Sequence, residues 1–101
     1  MSDNNAKLLT IFTEASLESR LINDIKQNGG LGYTITNARG RGTQGDRNAS
    51  WDANANIRVE IVCTAAFSQT MGRYLQEKYY DNYAMVSYIS DIQVLRPEKF
   101  E

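Results

Sequence analysis

The residues best suited to chemistry lie in one stretch, 38–56, which holds three glycines, three arginines and no aliphatic side chain larger than alanine. Glycines at 40, 42 and 45 let backbone N–H groups approach an anion closely, Thr43 adds a hydroxyl, and Arg39, Arg41 and Arg47 add charge. That is phosphate-binding chemistry; a solvated loop with incidental arginines is the competing reading. Trp51 offers either an anchor for a protein partner or a side chain that folds back over the body of the protein.

Gly40-x-Gly42-x-x-Gly45 spells the dinucleotide fingerprint and follows a strand-like run, Gly32 to Asn37. The fingerprint requires a helix N-terminus directly after the glycines to receive the pyrophosphate. Residues 46–56 have no apolar helical face, and 101 residues leave no room for a doubly wound sheet, so the motif is a decoy.

Other chemistries are restricted by composition. The chain has no histidine, which removes the commonest general base and transition-metal ligand and argues against triads and zinc hydrolases. No acid pair is fixed around a cleft by patterning, so neither a catalytic role nor a catalytic cofactor is expected. A net charge of −1 gives no global attraction to nucleic acid or anionic lipid, so any anion binding is local. The single cysteine, Cys63, lies in an alternating apolar run and reads as a buried thiol suited to a reducing cytoplasm. Neither a signal peptide nor a membrane-spanning apolar run is visible.

Local patterning supplies the elements that must hold the 38–56 segment. Lys7 to Glu14 carries large apolar residues on both parities and predicts a strand covered on both faces. Leu17, Leu21, Ile22 and Ile25 share a helical face, predicting a helix over about 16–28 with Ser16 as N-cap and Gly29-Gly30 as stop. Tyr33, Ile35 and Asn37 alternate with Thr34 and Thr36, and after the loop Ile57, Val59, Ile61 and Cys63 alternate with Arg58, Glu60 and Val62. The two runs predict a hairpin with a long excursion at its tip. Phe67, Met71, Tyr74, Leu75 and Lys78 mark a second helix, with the Lys78 stem along apolar surface. A long strand over 84–95 follows, ended by Pro97.

The order strand, helix, strand, strand, helix, strand predicts one α+β domain over 1–101: a ferredoxin-like βαββαβ fold whose four-stranded antiparallel sheet carries both helices on one face. The uncovered face then calls for another subunit. RNA-recognition domains share this order, but the strand over 57–64 has no aromatic residue and lacks their basic-Gly-aromatic signature. The tyrosines at 74, 79, 80 and 83 suit core and interface packing better than base stacking. A nucleic-acid module and a small carboxylate enzyme remain as alternatives.

Gly32-Tyr33-Thr34-Ile35, Gly40-Arg41-Gly42-Thr43 with Arg47, Asn56 to Ile61, and Lys78 to Ala84 resemble the PII-like signalling proteins, in the branch associated with bicarbonate transport and carboxysomes. The resemblance implies a homotrimer that holds an adenine nucleotide, AMP, ADP, ATP or cyclic AMP, between neighbouring subunits, with bicarbonate sensed alongside it in some members. The segment at about 38–56 would be the T-loop, which docks onto a target such as a bicarbonate transporter. By position, Gly42, Thr43 and Arg47 would hold phosphate, with Asn37 and Gly40 close by, and Ala84, Met85 and Val86 would line the nucleotide from the strand side. Gln44 stands where relatives can carry a second arginine, and Met85 where they carry glycine. The tail to Glu101 lacks the cysteine-bearing extension of some relatives, so no redox switch is expected there.

Overall fold

The computed structural model describes residues 6–30, 32–40 and 55–96. Strand β1 (Ala6–Glu14) is followed by a 3-10 turn (Ala15–Leu17), helix α1 (Glu18–Gln27), the hairpin strands β2 (Thr34–Ala38) and β3 (Asn56–Thr64), helix α2 (Ala65–Lys78) and strand β4 (Val86–Asp91). The strands form one antiparallel sheet in the order β2-β3-β1-β4. This is the α+β ferredoxin-like arrangement that the element order predicts.

Alternation along β1 and β3 sets the two faces. Leu9, Ile11 and Thr13 stand opposite Ile61, Val59 and Ile57. All six are buried, and the five apolar ones pack with Leu17, Leu21, Ile25, Met71 and Leu75 from the helical layer. The other parity, Leu8, Thr10 and Phe12 on β1, pairs with Val62, Glu60 and Arg58 on one side and with Ser90, Tyr88 and Val86 on the other. There Val62, Tyr88 and Val86 remain 50%, 50% and 56% exposed, so the both-face cover expected of β1 is incomplete within one chain.

Helix boundaries follow from capping. Ser16 is not an N-cap: its hydroxyl donates to Glu14 Oε2 at 2.8 Å, and the 3-10 turn occupies the positions before α1. At the other end, Gly29 takes φ +97°, its N–H reaches Lys26 O at 3.1 Å, and the Gly30 N–H reaches Ile25 O at 2.8 Å. This Schellman closure explains the Gly-Gly stop. Helix α2 begins where Thr64 accepts the Phe67 N–H at 3.1 Å, a cap that patterning does not single out.

The last strand is shorter than its alternation suggests. β4 pairs only with β1, from Val86↔Phe12 to Asp91↔Lys7, and the ladder stops where β1 begins; a weak Ile92 N–H to Ala6 O contact at 3.4 Å trails beyond it. Ala84 and Met85 precede the strand, in a turn where the Met85 N–H reaches Tyr83 O at 2.9 Å. β2 likewise starts at Thr34, two residues after Gly32.

Candidate functional site

Gly42, Thr43, Arg47 and Trp51 lie outside the described residues, as does most of the 38–56 segment. Its two ends are fixed by the sheet, because Ala38 of β2 stands opposite Asn56 of β3. Asn37, Arg39 and Gly40 are exposed beside that pair. At the same end of the sheet, but on the far edge, Ala84 and the buried Met85 lead into the exposed Val86. The register Thr36↔Arg58, Arg58↔Phe12, Phe12↔Val86 puts both groups at one end, three strand spacings or roughly 14 Å apart.

A concavity of about 640 Å³ occupies the opposite end. Its walls are Leu8 of β1, Glu60 to Thr64 of β3, the chain at 29–30 and 32–34, Phe67 of α2, and Val94 and Arg96. Among the described residues, none of the site residues expected from the sequence, Asn37, Gly40, Ala84, Met85 and Val86, lines it. β3 runs four residues past its last β2 partner at Glu60↔Thr34, so the β2 ladder leaves that edge of 61–64 without a strand neighbour. Backbone donors and acceptors alternate along such an edge, and Tyr33 and Phe67 add aromatic surface nearby. Gly30 keeps the wall tight, since a Cβ there would lie 2.5 Å from Ile25 Cγ2 and 3.0 Å from Phe67 Cζ. Cys63 is 5% exposed, its thiol donates to Lys7 O at 3.7 Å, and burial pushes its pKa up, which favours the thiol over the thiolate.

A polar cluster behind the sheet escaped sequence reasoning. Asp24 of α1, 2% exposed, accepts from Tyr74 Oη at 2.9 Å, from Lys78 Nζ at 2.8 Å and from the Tyr79 hydroxyl. The hydrogen bond to Asp24 holds the Lys78 ammonium above its usual pKa, aided by one to Tyr74. Burial, with the bond to Asp24 second, pushes the Tyr79 phenol up to about 12. Lys78 therefore does more than lay its stem on apolar surface. The available signal was Asp24 itself, an acid on the same helical face as Leu21 and Ile25, matched by Tyr74 and Lys78 four residues apart on α2. Of the four tyrosines, Tyr79 is the core residue, while Tyr80 is 38% exposed.

The model of the nitrogen regulatory protein P-II family matches residues 6–99. The chain belongs to the P-II family. A PII-like signalling protein from Thermus thermophilus is 40% identical, with 95% of each chain covered and a TM-score of 0.78. CPII from Thiomonas intermedia, solved with ADP and bicarbonate, is 25% identical over 95% of this P-II chain and 94% of that one, with a TM-score of 0.77. A DUF3240 family protein from Shewanella baltica shares the fold at 16% identity, 93% and 94% coverage and a TM-score of 0.69. Among the described residues no group of side chains could hold a metal ion, and no helix is long and apolar enough to cross a membrane.

Proposed function

We propose that this P-II family protein is a non-enzymatic, nucleotide-responsive regulator, a cytoplasmic homotrimer that binds AMP, ADP, ATP or cyclic AMP between subunits. Bicarbonate is its second effector. The 38–56 segment acts as a T-loop that carries the state of the site to a protein target, a bicarbonate transporter or a carboxysome-linked partner.

The observation that carries this reading is the separation of two half-sites. Asn37, Gly40 and Ala84 to Val86 mark the loop end of the sheet, while the concavity lies at the other end. From Leu8 to Phe12 along β1 the distance is about 14 Å, so the two ends are separate surfaces of one chain rather than a single cleft. A ligand touched by both lies where the loop end of one subunit meets the concavity of the next. The β3 edge and its aromatic neighbours suit a purine, whose rim alternates donors and acceptors and whose faces stack. Gly42, Thr43 and Arg47 supply the phosphate side, and Trp51 the contact with the target. The ADP and bicarbonate held by CPII support the same ligand classes here.

Regulation then follows from differential affinity. A ligand that binds better when the loop base is ordered shifts the loop toward that state, and the target reads the shift. Calorimetry with the four nucleotides, with and without bicarbonate, together with mass from light scattering, tests the reading. We expect binding of at least one nucleotide and a mass of three chains. No binding by any of them and a one-chain mass overturn it. Arg47→Ala is expected to weaken the bound nucleotide by more than about tenfold, the scale of a lost charge-assisted phosphate contact.

A further inference from the structure

Helix α1 contacts the turn between α2 and β4 through two side chains one helical turn apart. Asp24 binds the hydroxyl of Tyr79, the residue that closes α2. Four residues earlier, the Arg20 guanidinium lies 5.9 Å from the Tyr79 ring centre and 5.7 Å from that of Tyr83, and its Nη1 donates to Tyr83 Oη at 3.0 Å. The two rings meet edge to face at 5.8 Å.

The backbone of the turn hangs on the same residues. Tyr79 O accepts the N–H groups of Asn82 and Tyr83, each at 3.0 Å, and Tyr83 O accepts that of Met85 at 2.9 Å. At the strand side, the Tyr80 hydroxyl lies 2.7 Å from Ser87 Oγ and accepts the Ser87 N–H at 3.2 Å. The chain from 79 to 87 is thus held by Arg20 and Asp24 at one end and by the Tyr80 to Ser87 pair at the other.

We infer that Arg20 is a positioning residue for the nucleotide site: by clasping Tyr83 against Tyr79 it fixes the path of Ala84, Met85 and Val86 without touching the ligand. The inference rests on the proposed role of those three residues. Arg20 is exposed, so its side chain is not required to fill the core, and its simultaneous use of both rings and one hydroxyl acts on the shape of this turn. A cation held over two aromatic faces and hydrogen bonded at its end has one favoured placement, which is what a positioning group needs.

The test uses the full chain and the variants Arg20→Met, Arg20→Lys, Tyr83→Phe and the Arg20→Met/Tyr83→Phe double. Affinities for AMP, ADP, ATP and cyclic AMP are measured by calorimetry well below the melting temperature, and amide exchange is followed at Asn82, Tyr83 and Met85. We expect Arg20→Met to weaken nucleotide binding by about tenfold, the scale of one lost hydrogen bond to a charged group, and to speed exchange at those amides. Arg20→Lys, which keeps a cation over the rings, recovers part of the affinity, and the double variant is weaker than Arg20→Met by less than the full Tyr83→Phe effect, because the two side chains act as one unit. Nucleotide binding that Arg20→Met leaves intact, or unchanged exchange, overturns the inference while leaving the proposed function standing. Failure of the unaltered protein to bind any of the four nucleotides overturns the proposed function and this inference with it.

Discussion

The Tyr79 hydroxyl donates to the carboxylate of Asp24, joining the end of α2 to the middle of α1 through two residues that are 0% and 2% exposed. Removing the acceptor strands a buried phenol and leaves Lys78 to find water. Asp24→Ala is therefore expected to destabilise the fold by about 2 kcal/mol, below the range for a fully buried pair because Lys78 reaches solvent. Asp24→Asn, which keeps one acceptor oxygen, is expected to lose less. Urea denaturation of the two variants beside the parent checks both; equal stability of all three would show that the cluster contributes nothing.

The same cluster gives an alkaline limit. Tyr79 has a folded pKa pushed up to about 12 from an ordinary value of 10.0, and that of Lys78 is also raised. A raised folded pKa means that the folded state holds its proton more tightly than the unfolded state. The associated stability is complete below about pH 10 and is lost as pH climbs toward the folded values. Stability is thus expected to fall between about pH 10 and 12, and Tyr79→Phe to flatten part of that fall. Denaturation midpoints collected from pH 8 to 11.5 decide it, since parallel curves for parent and variant would remove Tyr79 as a cause.

The fold was legible because its signals are local and repeated: four apolar residues alternate from Ile57 to Cys63, and Leu21, Ile22 and Ile25 share the α1 face behind Leu17 of the 3-10 turn. Boundaries were less so. Ser16 looked like a cap because its type fits, yet Glu14 captured its hydroxyl, and the alternation over 84–95 could not report that β1 ends at Ala6 and gives β4 nothing further to pair with. Asn37 and Val86 were placed in one site by resemblance, and only the strand register shows that they lie on opposite edges at one end of the sheet. The concavity was invisible to patterning, since its wall is built from the unpaired length difference between β2 and β3.

Adjacent glycines separate two kinds of constraint. Gly29→Ala meets no atom within 4 Å but must hold φ +97°, whereas Gly30→Ala drives its Cβ to 2.5 Å from Ile25 Cγ2 and to 3.0 Å from Ile25 O. The first is expected to cost about 1 kcal/mol of backbone strain, the second about 1–3 kcal/mol of overpacking. Trimming the neighbour should relieve only the second. Melting of Gly30→Ala with and without Ile25→Leu, whose Cβ carries no second γ carbon, tests this, and an equal loss in both backgrounds would mean that the Ile25 Cγ2 methyl is not the obstacle.

Thr64 ends β3 and caps α2 by accepting the Phe67 N–H at 3.1 Å. Thr64→Ala is expected to destabilise the protein by about 1 kcal/mol, and Thr64→Ser to retain most of the stability because the capping oxygen survives. Thermal unfolding of the pair is the measurement; if serine were no better than alanine, the cap would be carrying no energy and the β-branched methyl would be the part that matters.

The open face of the sheet makes the strongest demand on assembly. Val62 and Tyr88 are each 50% exposed, flank Leu8 and Thr10 of the central strand, and lie on the side that no helix covers. Packing this face against other copies would remove apolar area from water at about 25 cal/mol per Å², whereas a charge placed there would have to be buried or would hold the subunits apart. Val62→Glu with Tyr88→Glu is therefore expected to convert the proposed trimer to single chains at micromolar concentration, with the far-ultraviolet circular dichroism retained because both side chains point away from the core. Light scattering on the double variant checks the mass. An intact three-chain particle would relocate the interface to the sheet edges or the helical layer, and would require the nucleotide cleft to be assembled from a different pair of surfaces.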